Sequence, residues 1–316
     1  MISNSLTEAV LAHVEAVLAH VKEENSIMGL IETEETNKFT FEQFAAHPFY
    51  TEVNRKLVQQ ALSHFASRPQ EAPLTVVDMA CGTGAVTRLI AEELARQGRG
   101  AHAHVIGVDP SAEALRRARK GANDAKQDSR IDFIQGDAAD LPHIVQNADA
   151  AFFCNAIHLV PDKLAAFQNM ATILAPGGIF ACNSAFFEET YVPGTERFYR
   201  HWTRRAVGWL RKEHPEVKLS REEKAMAMQW LSSEQYIDLL KQSGFGQTET
   251  QRIDVDIPLD AWRDIGQYWL FIEGALPGVP LAYGAKALET AVYQAGQELD
   301  MQVVPRTWLQ IVAIKD

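Results

Sequence analysis

Residues 74–87, LTVVDMACGTGAVT, set a carboxylate and a glycine-bearing turn at the end of an apolar run. The run ends on Asp78; Gly82 and Gly84 let the backbone approach a ligand closely, and the following helix aims free N–H groups at the same point. This arrangement predicts a nucleotide-like cofactor, so binding is legible before chemistry. A dinucleotide loop needs G-x-G-x-x-G, with the third glycine allowing tight helix-to-strand packing around a pyrophosphate. Thr87 stands at that third position, which counts against a nicotinamide oxidoreductase. Histidine is the side chain suited to proton transfer near neutral pH. His158, just past an apolar strand, is a candidate base or substrate contact, and His47 and His201 are further candidates. A guanidinium fork suits a carboxylate or phosphate. Arg200 and Arg204 lie in a helix also carrying Arg197, Arg205, Arg211 and Lys212. One of the two could anchor a substrate anion, or the helix is simply a solvated face.

More segments follow in order. AHVIGVDPSAEALRRARK reads as a buried strand ending on Asp109, with Pro110 and Ser111 opening an amphipathic helix. IDFIQGDAADLP (131–142) is a short strand leading to Gly136 and Asp137. NADAAFFCNAIHLVPD (147–162) is a buried strand with Asn155 and His158 beyond it, and LAPGGIFACNS (174–184) is a Pro-Gly-Gly turn feeding another apolar strand.

Taken with the D-x-A-C-G-T-G spacing from Asp78, this series resembles the class I S-adenosylmethionine (SAM) dependent methyltransferases, and within them the ubiquinone/menaquinone-biosynthesis type of small-molecule methyltransferase. Ala80 stands where the usual pattern has glycine, a replacement familiar in that subgroup. The resemblance implies a SAM site built from Asp78, Ala80, Gly82, Thr83 and Gly84, then Asp109, Pro110 and Ser111, then Asp137, Ala138 and Asn155. Asp109 would take the ribose hydroxyls, since a carboxylate accepts two charge-assisted hydrogen bonds from a vicinal diol. Asp137 and the N–H of Ala138 would meet the adenine. Two readings of Asp78 stay open, direct ligand contact or organisation of the loop by accepting backbone N–H bonds. His158 would lie near the methyl group, with S-adenosylhomocysteine left as product.

The elements that must position these residues are strands near 74–79, 104–109, 131–135, 149–154 and 178–184, alternating with helices. Alternation of this kind specifies an α/β fold with a parallel, doubly wound sheet, and the resemblance implies a seven-stranded, mostly parallel Rossmann-like sheet. Ligands in such sheets sit beyond the carboxyl ends of the strands, where Asp78, Asp109, Asp137 and Asn155 fall. Residues 1–69 form an N-terminal helical region. Within it, residues 5–24 make an amphipathic helix with Leu11, Val14, Leu18 and Val21 on one stripe, to pack on its own domain or to serve as a homodimer seam. Thr40 and Gln43 are spaced as a capping box, and Pro48 breaks the helix that follows. Phe41, Phe44, His47 and Tyr50 are candidates for a substrate lid, or for ordinary helix packing. Residues 70–185 are the SAM-binding core, and 186–231 form an aromatic-rich helical insertion with Phe198, Trp202, Ala206 and Trp209 on one stripe. The core resumes over 232–316, interrupted by a second helical insertion at about 259–300. The two insertions together predict a cap bearing substrate contacts, with Tyr50, His47, His201 and Arg204 as the named candidates.

The composition bounds the function. At 316 residues and 47% hydrophobic the chain is long enough for one large α/β core with additions. A net charge of −11 argues against a nucleic-acid partner. No run approaches the roughly 20 apolar residues of a spanning helix, and the N-terminus lacks a basic leader region. Cys81, Cys154 and Cys182 lie in or beside core strands without C-x-x-C spacing, as buried thiols of a reducing compartment. A soluble cytoplasmic protein without a metal is expected. The expected activity is methyl transfer from SAM to an O, C or N atom of a small, partly apolar or aromatic metabolite. The alternatives are a methyltransferase for protein or RNA, and a SAM-binding protein that has lost transfer.

Overall fold

In the computed structural model, residues 36–125, 129–220 and 230–316 are described. The amphipathic segment 5–24 and part of the first insertion lie outside them. Seven strands form one sheet: β1 Leu74–Met79, β2 Ala103–Asp109, β3 Arg130–Gln135, β4 Ala148–Cys154, β5 Leu174–Ser184, β6 Phe245–Val255 and β7 Arg306–Lys315. Their order is β3-β2-β1-β4-β5-β7-β6. The first five strands pair in parallel, while β7 runs antiparallel to both β5 and β6. The order reverses between β1 and β4, the switch point beside which such sheets leave a crevice.

Helices cover both faces. α1 is Glu42–Ala45, α2 Pro48–Ser63, α3 Ala85–Arg96, α4 Ala112–Ala125, α5 Leu141–Ile144 and α6 Lys163–Ile173. The chain continues with α7 Glu196–Glu213, α8 Ser233–Gln242, α9 Leu259–Ile265, α10 Trp269–Ala275 and α11 Leu281–Leu299. Alternate residues of a strand point to opposite faces. Accordingly Val77 and Met79 of β1 pack with Phe167 of α6 and Leu240 of α8, whereas Val76 joins Leu57 of α2 and Ile90 of α3 on the other side.

A separate apolar cluster lies under the two insertions. On α7 the residues Phe198, Trp202, Ala206 and Leu210 are buried at spacings of four, and they pack with Trp262 of α9 and Leu288 of α11. Leu210 takes the fourth place on the stripe expected for Trp209. The latter is half-buried at its edge, with its ring 5.5 Å from that of His214. The indoles are fixed by hydrogen bonds, Trp202 Nε1 to the Leu288 carbonyl at 2.8 Å and Trp262 Nε1 to that of Val304 at 3.2 Å.

The capping box expected from Thr40 and Gln43 does not form. α1 has four residues, begins after Phe41 and has no side-chain cap. Pro48 instead opens α2 at its first turn, where its missing N–H costs nothing. The Pro-Gly-Gly turn before β5 becomes a bulge within it: Gly177 has φ 72°, and the register against β4 shifts between Ala148 and Ala150.

Candidate active site

The loop between β1 and α3 is held by two carboxylates. Asp78 is buried at the end of β1, where its Oδ2 accepts a 2.6 Å hydrogen bond from the Thr87 hydroxyl on α3. Burial is the main cause that lifts its pKa to about 7, and Asp109 adds to the rise. Thr87, noted in the sequence only as a missing glycine, thus ties the strand to the helix. Asp109, at the end of β2, accepts from the Gly82 N–H at 2.7 Å and, through its other oxygen, from the Ser111 N–H at 2.9 Å. One side chain therefore pins both ligand-facing loops to each other. Ala80, Gly82 and Gly84 all have positive φ, at 55°, 53° and 77°. Strain of this sort at a non-glycine residue costs of order 1 kcal/mol and marks a backbone held by its surroundings. A Cβ on Gly82 would meet no protein atom within 4 Å. Its bare backbone therefore faces open space, on the wall of a cavity.

At the end of β4, Asn155 also has positive φ, 57°. Its side-chain amide donates to the Tyr50 hydroxyl at 3.1 Å and to Asn54 Oδ1 at 3.0 Å, and its Oδ1 accepts from Trp308 Nε1 at 3.0 Å. Asn183 of β5 closes the network, donating to Asn54 Oδ1 and accepting the Asn155 N–H on its own Oδ1, each at 3.0 Å. Buried polar networks of this kind rigidify what they join when their members are satisfied, and this one joins α2, β4, β5 and β7. Asn54, Asn183 and Trp308 were not singled out in the sequence. Single polar residues in apolar runs were their only signal.

The cavity has a volume of about 750 Å³. One end lies at the carboxyl ends of β1, β2 and β4, where Asp78, Ala80, Gly82, Thr83, Asp109, Pro110, Ser111 and Asn155 contribute to its wall. The other end lies under the cap and is lined by Phe186, Tyr191, Tyr199, Trp230, Phe271 and Arg306. Phe41 and Tyr50 line it from the N-terminal segment. That segment is tied down by a 2.8 Å ion pair from Glu42 to Arg117 on α4 and by the Trp269 N–H bonded to the Phe39 carbonyl at 3.0 Å.

Other expected residues fall elsewhere. Asp137 and Ala138 are absent from the cavity wall. The Asp137 carboxylate turns back on its own loop, accepting the N–H groups of Ala139 and Asp140 at 2.8 and 3.3 Å. Gly84 sits behind the loop, where a Cβ would come within 3.2 Å of Ala118 and 3.3 Å of Phe133. His47 bonds Asp264 at 2.8 Å and lines a separate surface groove. His201 pairs at 3.2 Å with Glu298, which also binds Arg205, and Arg204 is exposed. Neither His201 nor Arg204 reaches the cavity, because the α7 face turned inward carries the Phe198 stripe. The basic residues thus form the solvated face.

His158 does line the cavity, stacked on Phe186 with centroids 4.5 Å apart and with Nδ1 3.1 Å from the Ser184 hydroxyl. Burial, reinforced by the charges of Lys163 and Arg306, drives its pKa down to about 3. The ring is neutral and a poor acceptor of protons near neutrality. The reason for expecting a base there, the ordinary titration range of histidine, does not survive its surroundings.

Residues 76–178 match the family model of the methyltransferase domain. The segment that resembles a methyltransferase domain thus runs from β1 into β5. Among curated relatives, the 2-phytyl-1,4-naphtoquinone methyltransferase of Thermosynechococcus vestitus is 33% identical over 145 residues, 44% of this chain and 59% of that protein. The ubiquinone/menaquinone biosynthesis C-methyltransferase UbiE of Rhizobium meliloti is 32% identical over 141 residues, 44% of this chain and 51% of that protein. The chain thus spans little more than half the length of these relatives. Among solved structures, phosphoethanolamine N-methyltransferase 2 of Haemonchus contortus superposes with a TM-score of 0.53 at 15% identity, over 92% of this chain and 59% of that one. YjhP of E. coli gives a TM-score of 0.52 at 17% identity, over 89% and 100%. These two likenesses concern the fold. The matched segment of the domain carries the Asp78 and Asp109 loops and Asn155, while the cap and β7 lie outside it.

Proposed function

We propose that the chain transfers a methyl group from SAM to a small, partly apolar or aromatic metabolite enclosed under the cap. One observation carries this reading. A single cavity runs from the loops bridged by Asp109, at the carboxyl ends of β1 and β2, to an aromatic chamber between the insertions. Its size suits a nucleoside and an acceptor together, since ligand pockets commonly enclose about 300–1,000 Å³. The relatives named for quinone methylation support the same class of acceptor.

The residues present fit such a cofactor. Asp109, which already orders both loops, would accept hydroxyl protons of a ribose, and the bare Gly82 backbone leaves room for the ligand against the loop. Asn155, fixed by Tyr50, Asn54 and Trp308, would set the floor beneath the sulfonium end. SAM supplies a methyl on a positively charged sulfur, whose C–S bond breaks as the bond to the acceptor forms. The protein's part is then to align the acceptor and exclude water, for which several kcal/mol is available from orientation alone, up to about 7–11 in well-aligned cases. His158, neutral and stacked on Phe186, would position the acceptor as a wall residue.

The test is incubation of the purified protein with methyl-labelled SAM and a deproteinised small-molecule extract. Label should enter the small-molecule fraction, with Asp109→Ala abolishing transfer. Label found in protein or RNA instead would contradict the substrate class.

A further inference from the structure

Arg306 stands at the start of β7, only 3% exposed, and lines the cap end of the cavity. Its Nε donates to the Ala185 carbonyl at 2.6 Å. Around its guanidinium carbon stand the rings of Phe186, Tyr199, Tyr191, Trp230 and Trp262, with centroids at 4.8, 5.3, 5.4, 5.6 and 5.8 Å. Among the described residues it makes no ion pair with a carboxylate. The acid that acts on neighbouring Tyr199, Glu196, accepts the Gly194 N–H at 3.0 Å at the exposed start of α7.

A guanidinium has five N–H donors in a fixed fork, and the structure uses one of them for a hydrogen bond of standard geometry. Aromatic faces lower the cost of burying the charge, but they do not occupy the Nη donors. Nearby, the buried Tyr199 hydroxyl lies beside the guanidinium, which acts on it, but the two make no hydrogen bond of standard geometry. Among the described residues, then, the buried charge has no counter-ion, an unfavourable arrangement that a bound anion would relieve. A ligand suited to this place is anionic, flat enough to lie among the rings, and small enough for the chamber.

We propose that Arg306 receives the carboxylate of an aromatic or polycyclic acceptor whose ring system lies among Phe186, Tyr191, Tyr199 and Trp230. This rests on the methyl-transfer reading and names its substrate class. A carboxylate is favoured over a phosphate by charge. Lys163 is turned to the Val160 carbonyl at 2.8 Å, and Arg117 lies at the far end of the cavity with Glu42 and Glu113. One guanidinium neutralises a monoanion, while a dianion would leave buried charge unpaired. The sequence reading looked for this anchor on α7, at Arg200 or Arg204. The structure puts a buried arginine on the closing strand instead.

The test compares three probes by titration calorimetry in the presence of saturating S-adenosylhomocysteine: 2-naphthoate, the neutral 2-naphthalenemethanol, and 2-naphthyl phosphate. With the wild-type protein, 2-naphthoate should bind at least about tenfold more tightly than the alcohol, the range expected of hydrogen bonds to a charged group. Arg306→Gln should abolish that preference while leaving the alcohol and S-adenosylhomocysteine affinities in place. Arg306→Lys keeps the charge but not the fork, and should retain only part of the preference, which covers the case where the glutamine variant does not fold. Equal wild-type affinity for acid and alcohol overturns the proposal, as does a preference that survives in Arg306→Gln or tighter binding of the phosphate. Failure of S-adenosylhomocysteine to bind overturns the methyl-transfer reading separately, since the probe ratio can be read without it.

Discussion

Asp78 shows how one buried carboxylate can serve a loop. Its carboxylate accepts the Thr87 hydroxyl and also reaches the cavity wall, a placement that accommodates both an organising role and ligand contact. Its pKa is raised from 3.8 to about 7, chiefly by burial. The folded protein therefore retains a proton that the unfolded chain releases between these values, and stability should fall as pH climbs through that window. Asp78→Asn keeps an acceptor for Thr87 and removes the titration. Urea unfolding should show the variant gaining on the wild type between about pH 4 and 7 by on the order of a few kcal/mol, with no further change above. A pH-independent difference would contradict the burial assigned to this carboxylate. Asp78 and Asp109 were legible in the sequence because a strand end followed by a glycine turn is a local pattern. Arg306 was not, because its surroundings come from β7 and from segments 40 or more residues away in the chain.

Among the elements, β4 and its end carry the most consequence. The strand bounds read from apolar runs agree with the structure to within a residue for β1–β4, since those strands are buried and bounded by turns. What could not be read was the network that Asn155 forms across four elements, which depends on which strands become neighbours. Asn155→Ala removes the acceptor of Trp308 Nε1 and places alanine at φ 57°. The expected loss is about 3 kcal/mol by chemical denaturation, combining an unsatisfied buried donor with a left-handed backbone. Asn155→Gly loses the same bonds but tolerates the backbone, so it should be more stable than the alanine variant by about 1 kcal/mol. Equal stability of the two would mean that the backbone strain is absent. α1 teaches the opposite lesson. The Thr40 and Gln43 spacing satisfied a capping pattern, but Pro48 three residues beyond the short helix redirected the chain into α2.

At the scale of the molecule, a doubly wound sheet supplies a rigid edge and two insertions supply a roof. The described residues contain no helix long and apolar enough to cross a membrane. They contain no cluster of acidic, histidine or cysteine side chains able to hold a metal. The cap cluster shares Phe44, Tyr50 and Val53 with the N-terminal helices and Trp308 with β7, so the roof is packed onto the sheet. Amphipathic spacing made the α7 stripe readable in the sequence. Which α7 residues would face the ligand was not readable, because that depends on how α11 packs against it.

The central claim is that the loops bridged by Asp109 hold the nucleoside of SAM. Calorimetric titration with S-adenosylhomocysteine, beside a parallel titration with NAD, tests it most directly. The account predicts saturable one-to-one binding of S-adenosylhomocysteine alone, lost in an Asp109→Ala variant that stays folded. Binding of NAD in its place, or undiminished S-adenosylhomocysteine affinity in that variant, would contradict it.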